Sequence, residues 1–550
     1  MSTTLRLRGP DRALRRPHPL DLGETVAGRV HRQALSTPGR TAVLDGGTAV
    51  GYAALDAAVR RHGAALRAAG CAPGEPVLVR GPRSATAIAV FLAMEDLGCV
   101  HVPLDPGWSE ERVAEVARHS GATRLVRYGP PGPPPPAPLR LVALGEEPGA
   151  TSDAPAPRAR AGAAEPRYAL YTAEFTGGAE GAVTAHAGMV NHLWAKVTDL
   201  GLTGEDRVAY SAPQVFDTAV WQMLAPLLTG GTVAVVGEAD TAFPRRLAGA
   251  LDRTGTTVVE LVPTAIGWLL DRVEKTSGRE PGRQAGTESA PGPAPESPPE
   301  SAPEPVGALR LLVATGGELS PALASRIAAV LPGVTTVFAN GPVECSDDVL
   351  HHRVGPGDLS APRVPRGRPI PNAVLSAVLP EPDGAWRHAG PGEIGELLVQ
   401  GAPVGLGHLR DGTVRTGAYL RDTTPDAGPS GLAFRTGDLV SFHPGEVRYH
   451  GRTDRQLLYG GRRLALEELE GELRRHPGVR QCAVLAGERD GVPELTVFYT
   501  AADPGAPPDG LGRAPGHPDL RLRWTRRTVL PLTRKGEIDH RALSCAPDPS

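Results

Sequence analysis

The chain is 550 residues long, with 58 lysines and arginines against 61 aspartates and glutamates and a net charge of -3. Acid and base are mixed, with no basic block to follow a nucleic-acid backbone, and no window nears the ~18 consecutive apolar residues of a membrane span. The five cysteines, Cys71, Cys99, Cys345, Cys482 and Cys545, are scattered and form no CxxC pair, so neither a disulfide framework nor a zinc site is expected and a reducing cytoplasm fits.

The arginine-rich opening, residues 1–19, lacks the apolar stretch of a secretory signal and reads as a short disordered tail. In YAALDAAVRRHGAALRAAG, Leu55, Val59, Ala64 and Leu66 recur at roughly helical spacing, and the strand PVLVRG follows. The proline run GPPGPPPPAP, residues 129–138, interrupts this pattern as a mobile surface loop. The strand YALYT then opens into YTAEFTGGAEGA, residues 171–182, shaped like a phosphate-gripping loop but carrying Glu174 and Glu180 where a phosphate would approach. Further on, the β-branched runs GTVAVV and TTVVELV alternate with amphipathic stretches. Such alternation predicts an α/β protein with mainly parallel sheets and flanking helices. A second insertion, residues 279–307, is rich in Pro, Ser, Ala and Glu with almost nothing to bury. Near Arg452 the texture changes to a hairpin, a charged helix and the strands QCAVLAG and ELTVFYT. The predicted parse is a large N-terminal domain over 20–453 and a small C-terminal α+β lid domain over 454–550. Lysine occurs only as Lys196, Lys275 and Lys535, so any lysine inside a motif is informative.

The segments GYAALD, AMEDLGCVHVPLDP, VFDTAVWQMLAPLLTGG, LRLLVATGGELS, FANGPVECSDDV, GEIGELLVQG, FRTGDLV, GRTDRQLLYGGRRLALEELE and PLTRKGEIDHRAL, in that order and with the glycine loop in place, resemble the adenylate-forming superfamily. In detail they resemble the amino-acid adenylation domains of nonribosomal peptide synthetases, over about residues 20–545. The resemblance implies two steps. A substrate carboxylate attacks the α-phosphate of Mg-ATP, giving an acyl adenylate and pyrophosphate, and the acyl group then passes to a phosphopantetheine thiol of a carrier protein. ATP and Mg2+ are the implied cofactors, and an amino acid and the carrier the implied partners, with a small accessory protein of the kind that assists such domains as a further one. No HHxxxDG condensation motif occurs and nothing after Leu543 resembles a carrier domain, so the carrier is expected in trans.

The family loop usually reads Tyr-Thr-Ser-Gly-Ser-Thr-Gly-x-Pro-Lys-Gly. Thr172, Thr176, Gly177 and Gly181 match it, while Ala173, Glu174, Phe175, Ala179 and Glu180 do not, and Glu180 stands in the lysine's place. Gly316 and Gly317 fall in the implied nucleotide site. Asp438 matches the carboxylate that binds both ribose hydroxyls, with Arg452 at the family spacing after it. Glu344 matches the magnesium ligand, whereas Asn340 replaces an adenine-stacking tyrosine and Val343 a phosphate-contacting threonine. Asp454 matches the hinge of the small domain. The last family lysine falls at Glu537; Lys535, two residues earlier, is either its substitute or a solvated loop lysine.

Asp217 matches the aspartate that pairs with an amino acid's α-ammonium, or else is a helix N-cap. Thr218, Trp221, Val313, Thr315, Ala339, Asp347, Asp348 and, by the loosest match, Glu260 correspond to the specificity lining. Several acids in one lining imply a substrate with a second cation, such as a diamino or guanidino acid, unless Asp347 and Asp348 face solvent. One reading is a stand-alone amino-acid adenylating ligase with weak or altered catalysis. The other is a non-catalytic scaffold or ligand-binding partner of a synthetase complex. An acyl- or aryl-CoA ligase ranks lower, because Asp217 suits an α-amine.

Overall fold

The computed structural model describes every residue except 1–2, 146–153, 172–179, 242, 277–305, 445, 460–461, 475, 477, 490–491, 502–512, 515–516, 534–537 and 546–550. The β-branched runs pair in parallel because a helix long enough to cross back over the sheet separates most of them. In a nine-stranded sheet, Thr335–Asn340, Leu311–Ala314, Val258–Leu261, Arg207–Tyr210, Thr232–Val235 and Thr41–Asp45 lie side by side, all parallel, with antiparallel strands at both edges. In an eight-stranded sheet, Pro166–Tyr171, Val100–Leu104, Pro76–Arg80, Arg124–Arg127 and Arg140–Ala143 run parallel. Gly181–Ala185, Gly407–Arg410 and Thr413–Arg415 complete it by antiparallel pairing.

Both sheets belong to a compact unit formed by residues 1–6, 14–375 and 399–434. Its central helix, Ala85–Leu97, is buried without a break from Ala87 to Glu95, as a sequence apolar all round requires. The Ser84 hydroxyl caps its start by accepting from the Ala87 N–H, and Gly98, at φ 80°, ends it in the left-handed region. The expected α/β class with mainly parallel sheets is the one observed. The N-terminal segment is not the loose tail that its charge suggested. Leu5 is buried and its N–H donates to the Arg421 carbonyl, while the Arg16 guanidinium donates to both carboxylate oxygens of Asp199 at 2.6 and 2.9 Å. The proline run at 129–138 is largely exposed between two strands of the second sheet. The 279–307 insertion lies outside the described residues up to 305.

The other unit comprises residues 7–13, 376–398 and 435–550. Here Val479–Arg489, Val492–Ala501 and His517–Arg526 form most of a four-stranded sheet covered by the helix Leu466–Leu473. Leu466, Leu469 and Leu473, spaced at i, i+3 and i+7, pack on Val484, Val497 and Tyr499. The hairpin Gln456–Tyr459 with Arg462–Ala465 precedes that helix. The change of texture at residue 454 falls inside this unit. No helix among the described residues is long and apolar enough to cross a membrane.

Candidate active site

The helix His186–Leu200 reads HAGMVNHLWAKVTDL and places His192 and Lys196 one turn apart on its buried face. Lys196 is fully buried, its Nζ 2.5 Å from Asp348 Oδ2, 3.3 and 3.4 Å from the Glu260 oxygens and 4.7 Å from the Trp221 ring centroid. The Trp221 indole N–H also donates to Glu260 Oε2. Strand register explains the grouping: Glu260 pairs with Val313, and Thr315 lies two residues further along the same face. Burial opposes the charge on Lys196, but Asp348 and Glu260 outweigh it and hold its pKa above the ordinary value. Burial also opposes the Asp348 charge, and there Lys196 and His351 win, so this carboxyl stays below the usual range. Glu260 and Asp347 go the other way. Burial raises both, and for Asp347 the charges of Asp348 and Asp217 add to it.

A second chain of charges continues from this point. His351 Nδ1 lies 2.8 Å from Asp199, the carboxylate held by Arg16, and its Nε2 lies 3.4 Å from Asp348. Burial pulls His351 down, and its bonds to Asp199 and Asp348 outweigh that and raise it. His192 Nε2 approaches Asp347 Oδ2 at 3.0 Å, but burial, aided by the Lys196 charge, pushes this imidazole down to about 3, so it is neutral. Asp347 and Asp348, 4% and 1% exposed, do not face solvent. The cation that Asp348 and Glu260 face is Lys196, which removes the reason for inferring a cationic substrate side chain. Their turn is tight, with Ser346 at φ 69° and Asp347 at φ 114°, values that L-residues rarely adopt. Gly341 permits it, because a Cβ there would collide with the Asp347 carbonyl.

Asp217 opens the helix Asp217–Leu228 and is 8% exposed. The N-cap is Phe216, so the cap reading of Asp217 does not describe this helix. Its Oδ1 accepts from the Thr218 N–H at 3.0 Å, and no cation among the described residues pairs with it. Thr218 and Thr315 are half-buried, whereas Trp221, Val313 and Ala339 are shut off from solvent.

Glu180 has a partner. Gly181 pairs with Leu409 and Ala182 with His408, so residue 180 stands opposite Arg410, with His408 on the same face. Arg410 Nη1 donates to Glu180 Oε1 at 2.8 Å. His408 lies between two carboxylates, 4.0 Å from Glu180 and 3.3 Å from the buried Glu344. Gly181 is required here, since a Cβ would meet the Tyr171 ring at 2.5 Å. The Glu344 carboxylate is a hard oxygen donor of the kind Mg2+ takes, so it fits that ion, whereas the Glu180 carboxylate is paired with Arg410. Asn340 ends the strand Thr335–Asn340, and its Nδ2 finds no acceptor among the described residues. Gly316, at φ 67°, and Gly317 follow the strand Leu311–Ala314.

Within the other unit, Arg452 Nε donates to Asp454 at 2.9 Å, and Arg452 Nη1 lies 3.5 Å from Asp438. Burial opposes the Arg452 charge, but the Asp454 and Asp438 carboxylates outweigh it and raise its pKa. Asp438 faces Arg452 because the two are paired in register across the Leu432–His443 and Glu446–Arg452 strands. Thr172, Thr176, Gly177, Lys535 and Glu537 lie outside the described residues. The sequence reading missed Lys196, His192, His351, His408 and Arg410. Lys196 carried a signal, because lysine is so rare in this chain. His408 and Arg410 carried none without the strand register.

The sequence profile described as AMP-binding enzyme matches residues 30–409. The chain is 30% identical over 549 residues to the phosphinothricin tripeptide synthetase PhsB of Streptomyces viridochromogenes, covering 94% of this chain and 41% of that protein. It is 30% identical over 552 residues to the isonitrile lipopeptide synthase of Mycobacterium tuberculosis, covering 96% of this chain and 19% of that one. With the novobiocin biosynthesis protein H of Streptomyces niveus the identity is 29% over 549 residues, covering 96% and 82%. The chain thus spans a fifth to two fifths of the first two relatives and most of the third. Among solved structures, it resembles Klebsiella oxytoca NpsA in complex with 3-hydroxyanthranilyl-AMSN, with a TM-score of 0.76 at 20% identity, covering 95% of this chain and 99% of that one. It also resembles a holo nonribosomal peptide synthetase protein containing adenylation and PCP domains, with a TM-score of 0.63 at 26% identity, covering 95% and 85%. With the expected motifs in order, the α/β fold they call for and a profile match over most of its length, this chain belongs to the AMP-binding enzyme family.

Proposed function

We propose that this protein activates an amino acid with ATP, forming an aminoacyl adenylate and pyrophosphate, and passes the aminoacyl group to the phosphopantetheine thiol of a carrier protein in natural-product biosynthesis. The observation that carries this reading is Asp217, a buried carboxylate with no cation of the described residues to meet it. A buried carboxylate without a countercharge is costly, so its position suits a cation from outside. The α-ammonium of an amino acid is such a cation, and it would leave the substrate carboxylate free to attack the α-phosphate.

On the nucleotide side, Glu344 would help hold Mg2+, which when bound would neutralise phosphate charge. Asp438 would accept from both ribose hydroxyls, and the Asn340 amide would meet the base where its relatives stack a tyrosine. Arg410 restores a positive charge beside the position where the family has lysine, but that charge is committed to Glu180. Transition-state stabilisation by preorganised cations is therefore weaker than in relatives, and slow turnover follows. Lys535 is the remaining lysine candidate for the last step of adenylation, and Asp454 the proposed hinge. A non-catalytic binding role is the second reading, favoured by glutamate at both family lysine positions, Glu180 and Glu537.

A thermal-shift screen over the standard amino acids separates a ligand pocket from a vestigial one. The reading expects at least one stabilising amino acid and loss of that shift in Asp217→Ala. Pyrophosphate exchange then separates enzyme from binding partner.

A further inference from the structure

The partners of Lys196 form a complete ammonium receptor. Asp348 lies at 2.5 Å, the Glu260 oxygens at 3.3 and 3.4 Å, and the Trp221 face at 4.7 Å from the ammonium. Two carboxylates and an aromatic face are the groups that would hold the terminal ammonium of a diamino acid. Here the chain's own lysine occupies them. The lining is most open at Thr218 and Thr315, with Asp217 8% and Asp347 4% exposed, while Trp221, Glu260, Val313, Ala339, Asp348 and Lys196 are 2% exposed or less. The ammonium receptor is therefore closed to solvent and already neutralised by Lys196.

We infer that Lys196 is a specificity-determining residue, which closes the floor of the amino-acid pocket and reserves it for α-amino acids with small, uncharged side chains. The inference rests on the amino-acid reading proposed above. A diamino acid meets a cation where its own cation would have to sit, and a long apolar side chain meets a floor held by ion pairs. A glycine- or alanine-sized substrate needs only the Asp217 carboxylate. Removing Lys196 would open the receptor and turn the preference towards ornithine or lysine.

The test is a thermal-shift series on the full chain, wild type and Lys196→Ala, with glycine, alanine, serine, ornithine, lysine and butylammonium, an amine with no carboxylate. For the wild type, a small neutral amino acid is expected to raise Tm by about 3 °C near a hundredfold excess over Kd. Ornithine, lysine and butylammonium should leave it unmoved. For Lys196→Ala the pattern should invert, with ornithine or lysine binding at least about tenfold tighter than in the wild type and butylammonium stabilising the variant alone. If Lys196→Ala does not fold, the double variant Lys196→Ala/Glu260→Gln, with one orphaned carboxylate fewer, takes its place. If neither folds, the wild-type preference decides.

Tighter binding of ornithine or lysine than of small neutral amino acids by the wild type would overturn the inference. So would a folded variant indifferent to butylammonium while the wild type answers to an amino acid. No amino-acid shift in the wild type, with a butylammonium response in the variant, would keep the receptor and overturn the amino-acid reading instead.

Discussion

At the residue scale, three positions decide what the pocket and its charged surroundings can do. Lys196 is the buried counterion of Asp348 and Glu260, and removing one partner of a buried ion pair typically costs about 3–5 kcal/mol. Lys196→Ala should therefore lose stability of that order in urea denaturation, and a loss under about 1 kcal/mol would mean the carboxylates simply protonate. Glu180 and Arg410 form a half-exposed pair worth little to stability, so the effect proposed for them is on nucleotide binding. Glu180→Ala frees the guanidinium for phosphate and should tighten ATP binding in calorimetry, whereas Arg410→Ala should weaken it by about tenfold or more. Equal effects of the two variants would show that the pair lies away from the phosphates. The sequence exposed the charge inversion at Glu180 but not its compensation, because Arg410 is brought opposite it by strand pairing over 230 residues. Asp347 and Asp348 stood out in the sequence as adjacent acids, yet the pairing of Asp348 with Lys196 did not. Lys196 lies on a helix that the motifs do not cover, and only the i, i+4 spacing from His192 hinted at a shared face.

At the element scale, patterns with a strong period were legible and those dependent on partners were not. Alternating β-branched runs and amphipathic stretches announced the parallel sheets, because a buried strand and a helical crossover each leave a periodic mark. Residues 3–19 left no such mark: two two-residue strands, Leu7–Arg8 and Leu14–Arg15, and the ion pairs of Arg8, Arg15 and Arg16 fasten them. The helix Leu466–Leu473 supplies a pH prediction. Burial pushes its Glu470 up to about 7 from the usual 4.5, against the lowering effect of Arg455, 2.7 Å away. The folded state then holds a proton that the unfolded chain releases, so this stabilisation is full below about pH 4.5 and is lost as pH rises through 7. The 435–550 region should lose up to about 3 kcal/mol across that window, read by denaturation at fixed pH, and Glu470→Gln should flatten the slope. An unchanged slope in that variant would assign the effect elsewhere. Exposure of 129–138 and the composition of 279–307 make these segments the expected first cuts of a broad-specificity protease. Early cleavage within 310–450 would contradict that.

At the scale of the whole molecule, family and fold agree, and the open matter is whether chemistry persists around the altered phosphate contacts. Removing one preorganised donor typically costs about 10²–10³ in rate, and glutamate for lysine adds repulsion to that loss. On the proposed reading, Arg410 and a magnesium ion at Glu344 would offset part of it, and Lys535 would serve the adenylation step. Activity is therefore expected to be slow yet still governed by the proposed amino-acid pocket. Amino-acid-dependent exchange of labelled pyrophosphate into ATP, in wild type, Asp217→Ala and Lys535→Ala, tests this most directly. The predicted result is weak exchange above background with a small neutral amino acid, abolished by Asp217→Ala and reduced by Lys535→Ala. Robust exchange indifferent to both substitutions, or none with any amino acid at saturating ATP and Mg2+, would contradict it.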